Sequence, residues 1–221
     1  MELTYGNQTI DLFGKEHFPD GPPEKVVVSL SGGCDSSSLT YLIGTNFPNI
    51  DMYPFHTKDE DCPIDTERAI EVHQWLQNKF PKLHDLRIFT VSTSDPVWQA
   101  KAKEAMASPK GSLIVNGKKV SMWGTLNGCS KALQNRDKRS KMSLQYDAPV
   151  VMAMTSNPPV DVQKERGFYE VAERKRDPGE SKLKVMDTID KGGLTYQPYL
   201  RNDKKFVAGV FKEHNLMDSL Y

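Results

Sequence analysis

The sequence predicts an α/β protein of the Rossmann-like, doubly wound kind. It should hold a mainly parallel sheet with helices on both faces, plus a C-terminal lid-like and helical region. Three observations carry this expectation. Residues 25–30, KVVVSL, are apolar on consecutive positions, as suits a strand buried on both faces of a parallel sheet. Strand-like and helix-like stretches then alternate as far as residue 156. The 221 residues also suffice to bury a core without a disulfide or a metal.

The elements follow in order. LTY and TIDLF flank Gly6-Asn7, a favoured two-residue turn, and predict a hairpin. A loop rich in Pro and Gly leads to the strand at 25–30, and residues 35–43 read as a helix. DMYPFH reads as a second strand despite its proline, and DTERAIEVHQWLQNKF as an amphipathic helix that Asp65 or Thr66 could cap. LRIFTVS is a third strand, VWQAKAKEAMA a helix, and GSLIVNGKKVSM a short hairpin around Asn116-Gly117. TLNGCSKALQ is helical and APVVMAMTS is a further buried strand. From residue 157 the chain turns polar and charged, long for a plain connection, so a lid is expected there. DKKFVAGVFKEHNLM closes the chain as an amphipathic helix. The expected organisation is one domain over 1–221: a hairpin and loop at 1–24, an α/β core at 25–156, and a lid-like segment with a C-terminal helix at 157–221.

The totals exclude some functions. Lys plus Arg, 29, equals Asp plus Glu, 29, which argues against a dedicated duplex-DNA binder. The three cysteines, Cys34, Cys62 and Cys129, are far apart, as reduced thiols would be. No apolar run reaches membrane-spanning length, and the first residues lack a signal peptide's pattern. The expectation is a cytoplasmic protein with no membrane partner.

The stretch VVVSLSGGCDSSSLTYL poses the functional question. The strand at 25–30 breaks at Ser31-Gly32-Gly33 and restarts as a helix, and core packing gives no reason for two adjacent glycines there. In open α/β sheets, ligands sit at the C-terminal ends of strands. A helix N-terminus offers unpaired N–H groups and a positive dipole end. Glycines let the backbone take positive φ and let an anion approach without striking a Cβ. Ser29, Ser31 and Ser36 add hydroxyls. The turn therefore reads as a phosphate cradle. The patterns G-x-x-x-x-G-K-[ST] and G-x-G-x-x-G are both absent.

What stands instead is S-G-G-x-D-S, from Ser31 through Gly32, Gly33, Cys34 and Asp35 to Ser36. It resembles the PP-loop of the ATP pyrophosphatase superfamily. The resemblance implies cleavage of ATP to AMP and pyrophosphate, adenylation of an acceptor, and ligase-type chemistry with Mg²⁺. It assigns Ser31, Gly32, Gly33 and Ser36 to the pyrophosphate, and Asp35 to the helix start or the magnesium. Cys34 holds the variable position. Three later stretches are most similar to 7-cyano-7-deazaguanine synthases, enzymes of queuosine and 7-deazaguanine biosynthesis. In WGTLNGCSKAL, Gly124 and Asn127 keep part of a Pro-Gly-Arg-Asn pattern whose arginine is missing. VVMAMTSNPPVD places Thr155 and Asn157 near the nucleotide. In the closing helix, Pro198, Lys204 or Lys205, and Val207 fit. That branch usually carries a cysteine-rich zinc tail; the cysteines here cannot form one, so no metal ligands are expected.

His56 ends the second strand and is expected on the adenosine side. Arg174 and Arg176, in the lid, are expected to bring positive charge to the phosphates, as catalysis by a closing lid would need. Asp35 completes the expected catalytic set. The expected partners are ATP and a small-molecule acceptor. Nucleic acid is not expected, although tRNA stays open, as does a homodimer. The competing readings are a sulfonucleotide reductase or tRNA-thiolation-type enzyme, and a non-catalytic ATP-binding module.

Overall fold

In the computed structural model, the described residues are 1–60, 64–107, 112–115, 118–121, 125–156, 160–165, 181–185 and 193–216. The chain opens with the expected hairpin: β1 (Glu2–Tyr5) pairs antiparallel with β2 (Gln8–Asp11). Gly6 and Asn7 both take left-handed backbone, φ 55 and 61, as a tight hairpin turn requires. There follow β3 (Lys25–Ser29), α1 (Cys34–Asn46), β4 (Asp51–Asp59), α2 (Ile64–Lys79), β5 (Arg87–Val91) and α3 (Pro96–Ala107). A second antiparallel pair, β6 (Ser112–Val115) and β7 (Lys118–Ser121), precedes α4 (Leu126–Tyr146) and β8 (Val150–Val151). Then come α5 (Val160–Glu165), β9 (Leu183–Val185), β10 (Leu194–Tyr196) and α6 (Lys204–Glu213).

The main sheet has six strands in the order β5-β4-β3-β8-β10-β9. All pairs are parallel except β10 with β9. From β3 the chain winds outward to β4 and β5, then returns to lay β8 on the other side of β3. The topological switch, where such sheets bind ligands, thus lies between β3 and β8.

Consecutive valines of β3 point to opposite faces, and both are covered. Val26 and Val28 join Val151 in a core with Leu39, Leu42 and Ile43 of α1, Val72 and Leu76 of α2, and Phe206, Val210 and Phe211 of α6. Val27 joins Phe55, Val150 and Met142 of α4 beneath the other face. Each face buries several large apolar side chains, each contributing roughly 1.5–3 kcal/mol relative to exposure. Helices on both faces therefore match the expectation.

The sheet is mainly parallel, as expected, and mixed only at the β10–β9 edge. β9 and β10 are three residues each, too short to show a period amid polar neighbours. β8 is two residues, shorter than APVVMAMTS suggested, and residues 152–155 leave the sheet to line its C-terminal edge. α4 runs for 21 residues, well past Gln134, because its charged second half hides a helix anchored by few apolar positions such as Met142. Pro54 is tolerated inside the sheet because of where it falls. The ladder to β5 begins only at Phe55, and before it β4 meets the 82–84 segment through an isolated bridge at Met52. Its missing N–H sits in the gap between the two. The lid expectation over 157–184 falls largely outside the described residues.

Candidate functional site

At the end of β3 the backbone is pinned before it turns. Leu30 N donates to Phe55 O at 2.9 Å. His56 Nδ1 donates to Leu30 O at 3.0 Å, so its Nε2 accepts from Thr66 Oγ1 at 3.1 Å. The ring is buried, and that burial lowers its pKa, which keeps it neutral. His56 thus ties the loop to β4 and α2, with both ring nitrogens taken by the protein.

The turn itself is built from its own serines. Ser36 Oγ accepts from Ser31 N at 3.1 Å, donates to Gly33 O at 3.1 Å, and lies 3.0 Å from Ser31 Oγ. Ser37 Oγ also donates to Gly33 O, at 2.9 Å. Ser38 Oγ donates to Asp35 O at 2.9 Å and meets the buried Tyr199 hydroxyl at 3.2 Å. The run of hydroxyls therefore shapes the loop, and Ser36 is an internal brace.

The two glycines differ in cause. Gly32 has φ +79, and a Cβ there would lie 2.6 Å from the backbone nitrogen of Ala69 in α2. Core packing does ask for that glycine, contrary to expectation. Gly33 has ordinary extended backbone, φ −83 and ψ 162, and a Cβ there would meet only Ser31 Oγ, at 3.6 Å. Among the described residues nothing else fills that space.

α1 also differs from other helices at this edge of the sheet. Asp95 Oδ1 accepts from Val97 N and Trp98 N at the start of α3. Thr125 Oγ1 accepts from Gly128 N in α4, and Asp203 Oδ1 from Lys205 N in α6. Among the described residues no side chain caps α1. Its positive end opens on a cavity of about 500 Å³, lined by Ser29, Ser31, Gly33, Cys34 and Asp35 on one side and by Met152, Ala153 and Met154 on the other. The volume is within the range of small-ligand sites, roughly 300–1,000 Å³. Lys204, at the start of α6, enters the cavity and pairs with both oxygens of Asp35. Thr155 Oγ1, itself buried, donates to Asp35 Oδ2 at 3.1 Å.

The structure thus gathers Ser29, Ser31, Gly33, Cys34, Asp35, Ser36 and Thr155 at one place, with Gly32 shaping the turn. Asn127 lies elsewhere: its Oδ1 accepts from Gln99 Nε2 at 2.8 Å, between α4 and α3. Gly124, Asn157, Arg174 and Arg176 lie outside the described residues. The sequence left Lys204 and Lys205 undecided; Lys204 faces the cavity and Lys205 is exposed. The Met152–Ala153–Met154 wall was missed, because these residues read as a continuation of the strand. Among the described residues no three His, Cys, Asp or Glu side chains cluster as metal ligands, and no helix is long and apolar enough to cross a membrane.

Neither a protein-family model nor a curated protein matches the chain. Among solved structures, the chain is similar to an NH3-dependent NAD synthetase from Campylobacter jejuni, with a TM-score of 0.45 and 16% identity over 93% of this chain and 70% of that one. It is also similar to the U34-tRNA thiolase NcsA from Methanococcus maripaludis, with a TM-score of 0.49 and 14% identity over 87% of this chain. It spans 58% of the thiolase's length. Likeness at this level has no bearing on chemistry.

Proposed function

We propose that the chain is an ATP-using enzyme of the PP-loop kind, which transfers AMP to an acceptor and releases pyrophosphate. The observation that carries this reading is the uncapped start of α1. The S-G-G-x-D-S turn leaves a helix N-terminus open at the switch point of the sheet, with space over Gly33 and a lysine brought in from α6. The first-turn N–H groups would hold the pyrophosphate, and Lys204 would neutralise charge on it. An acceptor oxygen would attack the α-phosphorus, and the bond from that phosphorus to the bridging oxygen would break. Pyrophosphate would leave with the electron pair, and a second nucleophile would then displace AMP from the acceptor.

Among the described residues, Asp35 is the one acidic side chain lining the cavity. A single carboxylate suits a magnesium ion carried in on the phosphates, since Mg²⁺ keeps most of its shell from water and phosphate oxygens. Asp35, steadied by Thr155, would hold that ion, which supplies charge neutralisation on the phosphates. The finer reading, 7-cyano-7-deazaguanine synthase-like chemistry, is supported by Lys204, the closing-helix lysine of that resemblance, which stands in the cavity. Incubation with ATP labelled in the α- or γ-phosphate tests the reading. AMP and pyrophosphate are the expected products. ADP and inorganic phosphate would refute it, and tight binding without turnover would favour a nucleotide-binding module.

A further inference from the structure

The geometry points to Arg139, which touches Met152 of the cavity wall, as a second anion-binding residue, taking the phosphate that stays with the nucleoside when pyrophosphate leaves; this rests on the nucleotide reading above. Arg139 lies in α4, across the sheet from α1. Its side chain is half-buried, and its partners are poor ones for a guanidinium. Nε donates to the Asn135 carbonyl, one turn back in its own helix, at 3.1 Å, and Nη1 lies 3.0 Å from Met152 Sδ. No carboxylate pairs with it among the described residues. Burial and the like charge of Arg136 together push its pKa down to about 10.

A guanidinium carries five donors, and a thioether is a weak acceptor. A half-buried guanidinium with no carboxylate partner among the described residues adds little to the fold, so its position calls for another cause. Met152 supplies that cause by position. It follows β8 at the switch point and forms the cavity wall opposite the loop. Its side chain is unbranched and flexible, so an oxyanion can displace the sulfur from Arg139 at low cost. A nucleotide with its pyrophosphate at α1 would lay its α-phosphate across the strand ends, towards this wall. Lys204 and Arg139 would then flank the bond that breaks, one on each side.

The test titrates the full chain with AMP and with pyrophosphate, each with Mg²⁺, by calorimetry, and follows ligand-free thermal unfolding. Arg139→Gln should weaken AMP about tenfold to a hundredfold, the loss of one charge-assisted hydrogen-bonded contact. Pyrophosphate affinity should stay within about twofold, a difference too small for a lost contact. Arg139→Lys should restore part of the AMP affinity. The ligand-free melting temperature of Arg139→Gln should equal or exceed that of the unsubstituted protein, because an uncompensated charge has gone. Unchanged AMP affinity in Arg139→Gln, or equal weakening of both ligands together with a lower melting temperature, would overturn the assignment. An unsubstituted chain that binds neither ligand would instead refute the nucleotide reading itself, and this inference with it.

Discussion

Helices α1 and α4 both start at the C-terminal edge of the sheet, yet they treat their first turns in opposite ways. At α4, Thr125 accepts from Gly128 N at 3.1 Å, and the helix satisfies its own end. At α1 the corresponding position is Gly33, which has no side chain to offer. The serines of the first turns do not take its place: Ser36 and Ser37 both donate to the Gly33 carbonyl. A cap is typically worth about 1 kcal/mol, so leaving α1 uncapped has a cost that the rest of the fold bears. The difference separates a helix whose start satisfies itself from one whose start is left open to a cavity.

The strongest way to probe this comparison is at Gly32. Gly32→Ala should destabilise the protein by roughly 2–5 kcal/mol, the sum of a left-handed backbone penalty and a clash with α2. A melting temperature within error of the unsubstituted protein would show that the Gly32–Ala69 contact is not a constraint. The neighbouring glycine should behave differently. Gly33→Asp would cap α1, because its extended backbone already suits an N-cap, and should raise stability by about 1 kcal/mol. The same carboxylate would occupy and repel the phosphate position, so ATP affinity should fall at least about a hundredfold. Calorimetry showing full affinity would break the link between the open helix start and the ligand.

Thr125→Ala sharpens the comparison from the other side. It should lower stability by about 1 kcal/mol and leave nucleotide affinity unchanged, since that cap serves α4 alone. A marked loss of ATP binding would mean that the two helix starts are not separate in role. The smallest effect concerns pH. Burial lowers the pKa of His56, so the folded state resists protonation that the unfolded chain accepts. The contribution of His56 to stability is full above the ordinary imidazole value, near 6.5, and is lost as pH falls through the lower folded value. Melting temperature should therefore drop between pH 7.5 and 5.5, and His56→Gln should flatten that drop. An equal slope in the variant would assign the pH dependence to other groups.

What the sequence determined by itself is local. The tight turn at Gly6-Asn7, the buried strand β3, its break at Ser31 and the restart as α1 were all legible, because each depends on turn chemistry and periodicity within a few residues. The alternation of strands and helices, read the same way, led to a sheet covered on both faces. Only tertiary structure decided the rest. Lys204 meets Asp35 across 169 residues of sequence, and no local pattern says which of two adjacent lysines a docked helix will turn inwards. His56 became a support for the loop because β4 lies beside β3 in parallel register and α2 brings Thr66 to its other nitrogen. Asn127 went to α3 because α4 packs along that helix. The two glycines look equivalent in sequence, but α2 crosses against one and leaves open space over the other. Local preferences are set by neighbours in the chain. Which side chains share a cavity is set by strand order and helix packing, which sum weak contacts over the whole molecule.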